Sequence, residues 1–294
     1  MPIADGLPSR VDDRIGGRCS VLRPVADADV SVQKGDCCSV TVAIDSAFDR
    51  AVNAAELLVV SDFDGTLAPL TGDAMRVHPD PVGVAALQQL SELPHTTVAV
   101  LSGRDLQSLA KVAPLREPVV LAGSHGAETA GAQETANEQQ QRLLHSAADA
   151  LEAIAEQASG AFVEYKPYHL ALHVRLVADQ EHASRMLEEA ASIAANIDGL
   201  SATFGKCIVE IAATTCTKGT WIQSQQQATG ATVTIFAGDD VTDEHGFAAL
   251  QPTDISIKVG SGATGARYRL ADTAAISQWF ARLAAARAAR YSAN

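Results

Sequence analysis

Two apolar runs in this chain end directly in carboxylates, and that pairing limits the fold more than any other feature. Leu57-Leu58-Val59-Val60 is apolar throughout, the pattern of a strand buried on both faces of a parallel sheet. It runs into Asp62-Phe63-Asp64-Gly65-Thr66. Val233 to Ala237 repeats the arrangement and runs into Gly238-Asp239-Asp240, with Asp243 close behind. In open α/β sheets the carboxyl ends of the strands are where ligands bind. Residues two apart in extended chain point the same way, so Asp62 and Asp64 face one small volume. Carboxylates held that close repel unless a cation or a shared proton intervenes. The alternative, acidic residues favouring a helix amino terminus, suits one such motif but does not explain both. A hard divalent cation with oxygen ligands, magnesium by preference, held between the two strand ends and settling the repulsion of Asp62 and Asp64, explains both.

Between and around these runs the chain alternates strand and helix. Asp80-Pro81 marks a helix start, and Val82 to Leu93 has helical spacing. Thr96 to Leu101 is a second apolar strand, ending in Ser102-Gly103-Arg104, and Val119 to Ala122 is a third. These predict a doubly wound parallel sheet of the α/β class. From Glu138 the pattern changes to a long helix, two alternating strands (Phe162 to Lys166 and Leu170 to Leu176), a second helix from Glu181 and an extended return to Lys206. The sequence thus predicts a core of residues 51–128 and 207–294 carrying an inserted α+β cap at 129–206. Cys207 to Ile211 is expected as a core strand. In the amino-terminal 1–50, no chemistry is legible. Met1 to Arg18 reads as a loose terminus, Ser39 to Ile44 as an extra strand or a docking arm, and Asp45 to Ala55 as a helix.

The charge balance, 22 basic against 35 acidic residues, gives a net −13 and argues against nucleic acid as a partner. An anionic small molecule remains compatible, because a local cation decides that binding. The 5 cysteines are odd in number and scattered, which disfavours a disulfide framework and predicts a reducing, cytoplasmic setting. Neither a membrane span nor a secretory signal is expected from the sequence.

The stretch DFDGTLAPL resembles the first motif of the haloacid-dehalogenase superfamily, and its continuation is similar to the trehalose-phosphatase branch. The order DxD, Ser102, Lys218, GDDxxD matches the four motifs of that superfamily. The resemblance implies Asp62 as nucleophile and Asp64 as general acid and base. It implies Ser102, Gly103 and Lys218 as phosphate-binding, and Asp239 as completing a magnesium site supported by Asp240 and Asp243. In the cap, VEYK and HVR are similar to the family's sugar-binding pattern, which assigns Glu164, Lys166, His173 and Arg175 to substrate. Arg104, His125, Glu128 and Glu210 fall at further family positions and are expected to bind substrate too. One departure stands out: Ala212-Ala213 replaces the family's usual Arg-Pro pair. The implied activity is hydrolysis of trehalose 6-phosphate, with a trehalose-phosphate synthase as candidate partner. The alternatives are hydrolysis of another sugar phosphate, or a weakly catalytic module that binds such a synthase.

Overall fold

The structure is a computed structural model and describes residues 37–71, 75–131 and 136–292. Expectations for residues 1–36 lie outside these. Its core is a seven-stranded sheet whose middle strand is β1 (Leu57–Ser61). On one side of β1 follow β2 (Thr96–Leu101), β3 (Val120–Gly123) and β4 (Glu128–Thr129); on the other follow β9 (Val233–Gly238), β10 (Ile255–Val259) and β11 (Tyr268–Leu270). All neighbours pair in parallel except β3 with the short β4. The chain leaves β1 in one direction and returns to its other flank at β9. That is the switch in strand order beside which open α/β folds bind ligands.

Both faces of the sheet are covered. Leu57 and Val59 belong to a cluster with residues of α1 (Cys37–Asn53), α2 (Pro81–Ser91), α3 (Leu106–Val112) and α8 (Thr273–Ser292). Leu58 and Val60 pack on the opposite side with Trp221 and Ile222 of α6 (Lys218–Thr229) and Phe247 of α7 (Asp243–Ala249). Burial on both faces is why β1 reads as unbroken hydrophobicity. Each such fully buried side chain contributes roughly 1.5–3 kcal/mol. Asp80 caps α2 as expected, accepting from the amides of Val82 and Gly83.

A second layer holds α4 (Glu138–Ala155), α5 (Gln180–Ala195) and a four-stranded antiparallel sheet. Its strands are β5 (Phe162–Tyr165), β6 (His169–His173), β7 (Ser201–Gly205) and β8 (Ile208–Ala212), in the order β5-β6-β8-β7. Leu170, Leu172, Val209 and Ile211 face the two helices. Alternation turns Glu164, His169, His173 and Glu210 to the other side.

Two expectations are corrected. Residues 39–44 are helix, not strand. Val40, Thr41, Val42 and Ile44 favour a strand by propensity, but Ile44, Ala47, Phe48, Ala51 and Val52 form one apolar stripe at helical spacing against the core. The strand at 208–212 joins the small sheet rather than the large one. It forms a hairpin with β7 in which Gly205 lies opposite Ile208, and Cys207 in the turn adopts φ 62°. Left-handed backbone at a cysteine gives no compositional turn signal, so the hairpin is invisible in the sequence. Among the described residues, no helix is long and apolar enough to cross a membrane.

Candidate active site

β1, β2 and β9 end level with one another: Ser61 lies opposite Val100 on one side and Ala237 on the other. Whatever follows these strands therefore emerges at one place. The Asp62 amide donates to Ala237 O at 2.9 Å, which pins Asp62 one residue past its strand. Lys218, at the start of α6, reaches under the same edge. Only 3% exposed, its Nζ donates to Asp62 Oδ1 and to Asp243 Oδ1, each at 2.6 Å. Asp243 is fully buried, and its Oδ2 accepts from the amides of Asp239 (2.8 Å) and Asp240 (2.9 Å). Asp243 thus braces the turn that presents Asp239, while Asp240 is exposed and takes part through its backbone.

Carboxylate oxygens of Asp62, Asp239 and Asp243 all lie within 4.8 Å of one another. Burial raises the Asp239 carboxyl to about 7, and the charges of Asp243 and Asp240 add to the effect. Burial also raises Asp62, with Asp243 and Asp239 working against the pull of Lys218. For Lys218 itself, burial alone favours the neutral amine, but Asp243 and Asp62 outweigh it and hold the ammonium charged. One lysine against three carboxylates leaves an excess of negative charge in a site that offers only hard oxygen donors. That donor chemistry fits a divalent cation. Gly65 is required here: its φ is 82°, and a Cβ would stand 2.1 Å from Asp239 Oδ2.

Asp64 is placed differently. Arg104 grips both of its oxygens, Nε to Oδ2 and Nη2 to Oδ1, each at 2.6 Å. Its carboxylate is therefore not one of the three that lie together, of which Asp243 is one. Ser102 is buried, and its Oγ accepts from the Arg104 amide at 3.1 Å. Beyond β3, Ser124 and His125 both have positive φ, 49° and 57°. Successive non-glycine residues in that region are costly and turn the His125 ring towards the small sheet. Glu128 braces this turn by accepting from Ser124 Oγ and from the Leu106 amide.

The small sheet meets this edge with its polar face. Glu164, Ala171, Glu210 and Thr203 form one cross-strand row. Lys166 Nζ donates to Glu210 Oε1 at 2.7 Å and to Gly103 O at 3.3 Å, while His125 Nε2 lies 2.8 Å from Glu210 Oε2. These contacts join the layers. Burial alone favours the protonated Glu210 carboxyl, but the His125 hydrogen bond and the Lys166 charge hold it well below the usual carboxylate range. His173 sits 2.9 Å from Glu164 Oε2 and stacks on Phe162. Arg175 does not join them: β6 stops at His173, and Arg175 lies exposed beyond it. A cavity of about 350 Å³ between the layers is lined by His125, His169 and Glu210 together with Lys218, Thr242 and His245. A larger open depression of about 610 Å³ around His78 and Arg116 lies over α2, away from these groups.

Two contributors were not legible. Thr66 Oγ1 donates to Asp239 Oδ1 at 3.4 Å, and buried Lys258 donates to the Asp239 carbonyl. A lone lysine inside the apolar strand Ile255–Val259 was the available signal for the second.

Residues 60–274 match the trehalose-phosphatase family. The trehalose-6-phosphate phosphatase of Escherichia coli is 34% identical over 232 residues, covering 74% of this chain and 83% of that protein. The trehalose-phosphate phosphatase of Mycobacterium marinum is 33% identical over 244 residues, covering 77% of this chain; the chain spans 61% of that relative's length. In fold, the chain is similar to the C-terminal domain of Candida albicans trehalose-6-phosphate phosphatase, with TM-score 0.71 at 22% identity over 82% of this chain and 96% of that one. The matched span takes in both acidic strand ends, Lys218 and the polar face of the small sheet, and on that footing the chain belongs to the trehalose-phosphatase family.

Proposed function

We propose that this chain is a magnesium-dependent phosphatase that hydrolyses trehalose 6-phosphate to trehalose and phosphate. The observation that carries the reading is buried Lys218 bridging Asp62 and Asp243 at the strand ends, beneath a sheet whose polar face suits a polyhydroxylated ligand. In this reading the small layer is a cap, 129–206 extended by β8 to Ala212, on a core formed by the remainder of 51–294.

Asp62 and Asp239, with Asp243 beside them, would hold magnesium, whose charge offsets that of the phosphoryl oxygens. Lys218 and the Ser102-Gly103 turn bind the same oxygens, where the transition state spreads negative charge. An Asp62 oxygen attacks phosphorus, the bond from phosphorus to the sugar oxygen breaks, and that oxygen takes a proton from Asp64. Water then attacks the aspartyl phosphate and gives a proton to Asp64; the bond from phosphorus to Asp62 breaks and phosphate leaves. Both Asp64 oxygens are engaged by Arg104 in this conformation, so Arg104 must release at least one of them before either proton transfer. Glu164, Lys166, His173, Glu210 and His125 contact the sugar, while Glu128 acts by bracing the His125 turn.

A second reading, a different sugar phosphate, is favoured by Ala212, which brings only a methyl group to the cavity. A Thermoproteus tenax relative, 30% identical over 237 residues covering 79% of this chain and 32% of that protein, bears the name bifunctional trehalose-6-phosphate synthase/phosphatase. It supports a trehalose-phosphate synthase as the partner of this chain.

The test is phosphate release from trehalose 6-phosphate and a panel of other sugar phosphates. It is run with magnesium, with chelator, and with Asp62→Asn. We expect turnover that prefers trehalose 6-phosphate and falls at least a thousandfold in the variant and with chelator. Metal-dependent turnover of another sugar phosphate replaces the substrate, and no turnover by folded protein refutes the phosphatase.

A further inference from the structure

His169 opens β6 and shares a cross-strand row with Ala212 and Ser201. Its side chain is nearly inaccessible, at 3% exposed, yet Nδ1 is buried without a hydrogen-bond partner. Buried polar atoms are rarely left so, because the desolvation is not recovered. His125 shows the same deficit. Its Nε2 is engaged by Glu210, its Nδ1 has no partner, and the two rings meet edge to face with centroids 5.5 Å apart. Both residues line the 350 Å³ cavity that reaches Lys218. That volume lies within the roughly 300–1,000 Å³ of small-molecule sites.

On the reading that the substrate is a sugar phosphate, we infer that His169 contacts the sugar and selects it by hydrogen-bonding a hydroxyl group away from phosphorus. Burial, reinforced by neighbouring His125, lowers the His169 imidazole to about 3, so it is neutral wherever the enzyme works. A neutral imidazole offers one donor and one acceptor, as a hydroxyl does, and lacks the charge that would draw the phosphoryl group from Lys218. The site therefore distinguishes the two ends of its ligand: a charged end at Lys218 and a neutral end at His169. Ala212, opposite His169 on β8, lines the same cavity.

The test uses the full chain as wild type, His169→Leu, His169→Asn and Ala212→Leu. Steady-state kinetics are measured on the sugar phosphate that the wild type hydrolyses fastest, and on p-nitrophenyl phosphate, which has no sugar. His169→Leu is expected to raise KM for the sugar phosphate about tenfold, the worth of one neutral hydrogen bond. It also lowers by about tenfold the preference for sugar phosphate over p-nitrophenyl phosphate. Asn, whose amide reaches the place of Nδ1, restores most of both. Ala212→Leu, which fills the cavity from the neighbouring strand, raises KM in the same sense. Should His169→Leu not fold, Ala212→Leu and His169→Asn decide. A sugar-phosphate KM within twofold of wild type in folded His169→Leu, or in Ala212→Leu, overturns the inference. Turnover of a sugar phosphate other than trehalose 6-phosphate revises the substrate alone and leaves the test of His169 in force. Hydrolysis of p-nitrophenyl phosphate with no sugar phosphate turned over refutes both.

Discussion

Lys218 and Lys258 are both buried lysines, and they solve different problems. Lys218 offsets charge between two carboxylates, whereas Lys258 fixes the backbone of Asp239 by holding its carbonyl. Groups behind a metal ligand set its aim, and their loss typically weakens metal binding 10–100-fold. Lys258→Met is therefore expected to raise the magnesium concentration for half-maximal phosphate release by about tenfold or more. A magnesium titration of phosphate release that half-saturates within twofold of wild type would remove Lys258 from the site. At this scale Asp62, Asp239 and Lys218 were legible because strand-end carboxylates and motif order single them out. Lys258 and His169 were not: one charged or polar residue on a strand reads as facing solvent until the neighbouring strands are known.

Among the elements, α1 and α8 show how far helix packing escapes sequence reading. Arg287 of α8 is fully buried, and the partners of its guanidinium are carbonyls and hydroxyls rather than a carboxylate. It donates to the carbonyls of Ala51, Val52, Ala54 and His95, to Thr96 Oγ1 and to the Tyr291 hydroxyl. Ala51 and Val52 belong to the last turn of α1, whose carbonyls have no partner within their own helix and form its negative end. Arg287 thus caps α1 from another helix, although burial lowers its pKa. Replacing it removes one of two donors from each of these carbonyls, which keep the Ala54 amide, Arg290 and the Leu57 amide, and leaves the Thr96 and Tyr291 hydroxyls without its charge. Arg287→Met is expected to cost about 1–3 kcal/mol of unfolding free energy. A urea titration showing a loss under about 1 kcal/mol would mean that water replaces the guanidinium. In the sequence this arginine lies among alanines and looks solvent-facing. The β-branched start of α1 hid only its first turns; the end that Arg287 caps lies in the helix expected from Asp45 to Ala55.

In the whole molecule, the parallel core was legible because burial on both faces leaves continuous apolar strands and their chemistry sits at strand ends. The edge of the small layer lies one strand further along than the sequence predicts, because a two-residue turn at Lys206-Cys207 carries no glycine or asparagine. The contact between layers has a pH signature. The Glu210 carboxyl is held below its unfolded value, so the folded protein binds fewer protons there than the unfolded chain does in acid. This stability is complete above the unfolded carboxyl value of about 4.3 and is lost as pH falls below it. Thermal unfolding of Glu210→Gln is expected to give a lower Tm at pH 7 and a shallower fall in Tm between about pH 5 and 3. An unchanged slope in the variant would place the acid sensitivity elsewhere. One connection has a mechanical meaning as well. Residues 213–217 join the end of β8 to Lys218, and they are anchored by the Ala213 amide on Tyr168 O and by Cys216 packing beside Tyr168. A chain rising about 3.4 Å per residue spans roughly 20 Å between Ala212 and Lys218 when fully taut. That short leash limits how far the small layer can swing away while Lys218 keeps its grip on Asp62.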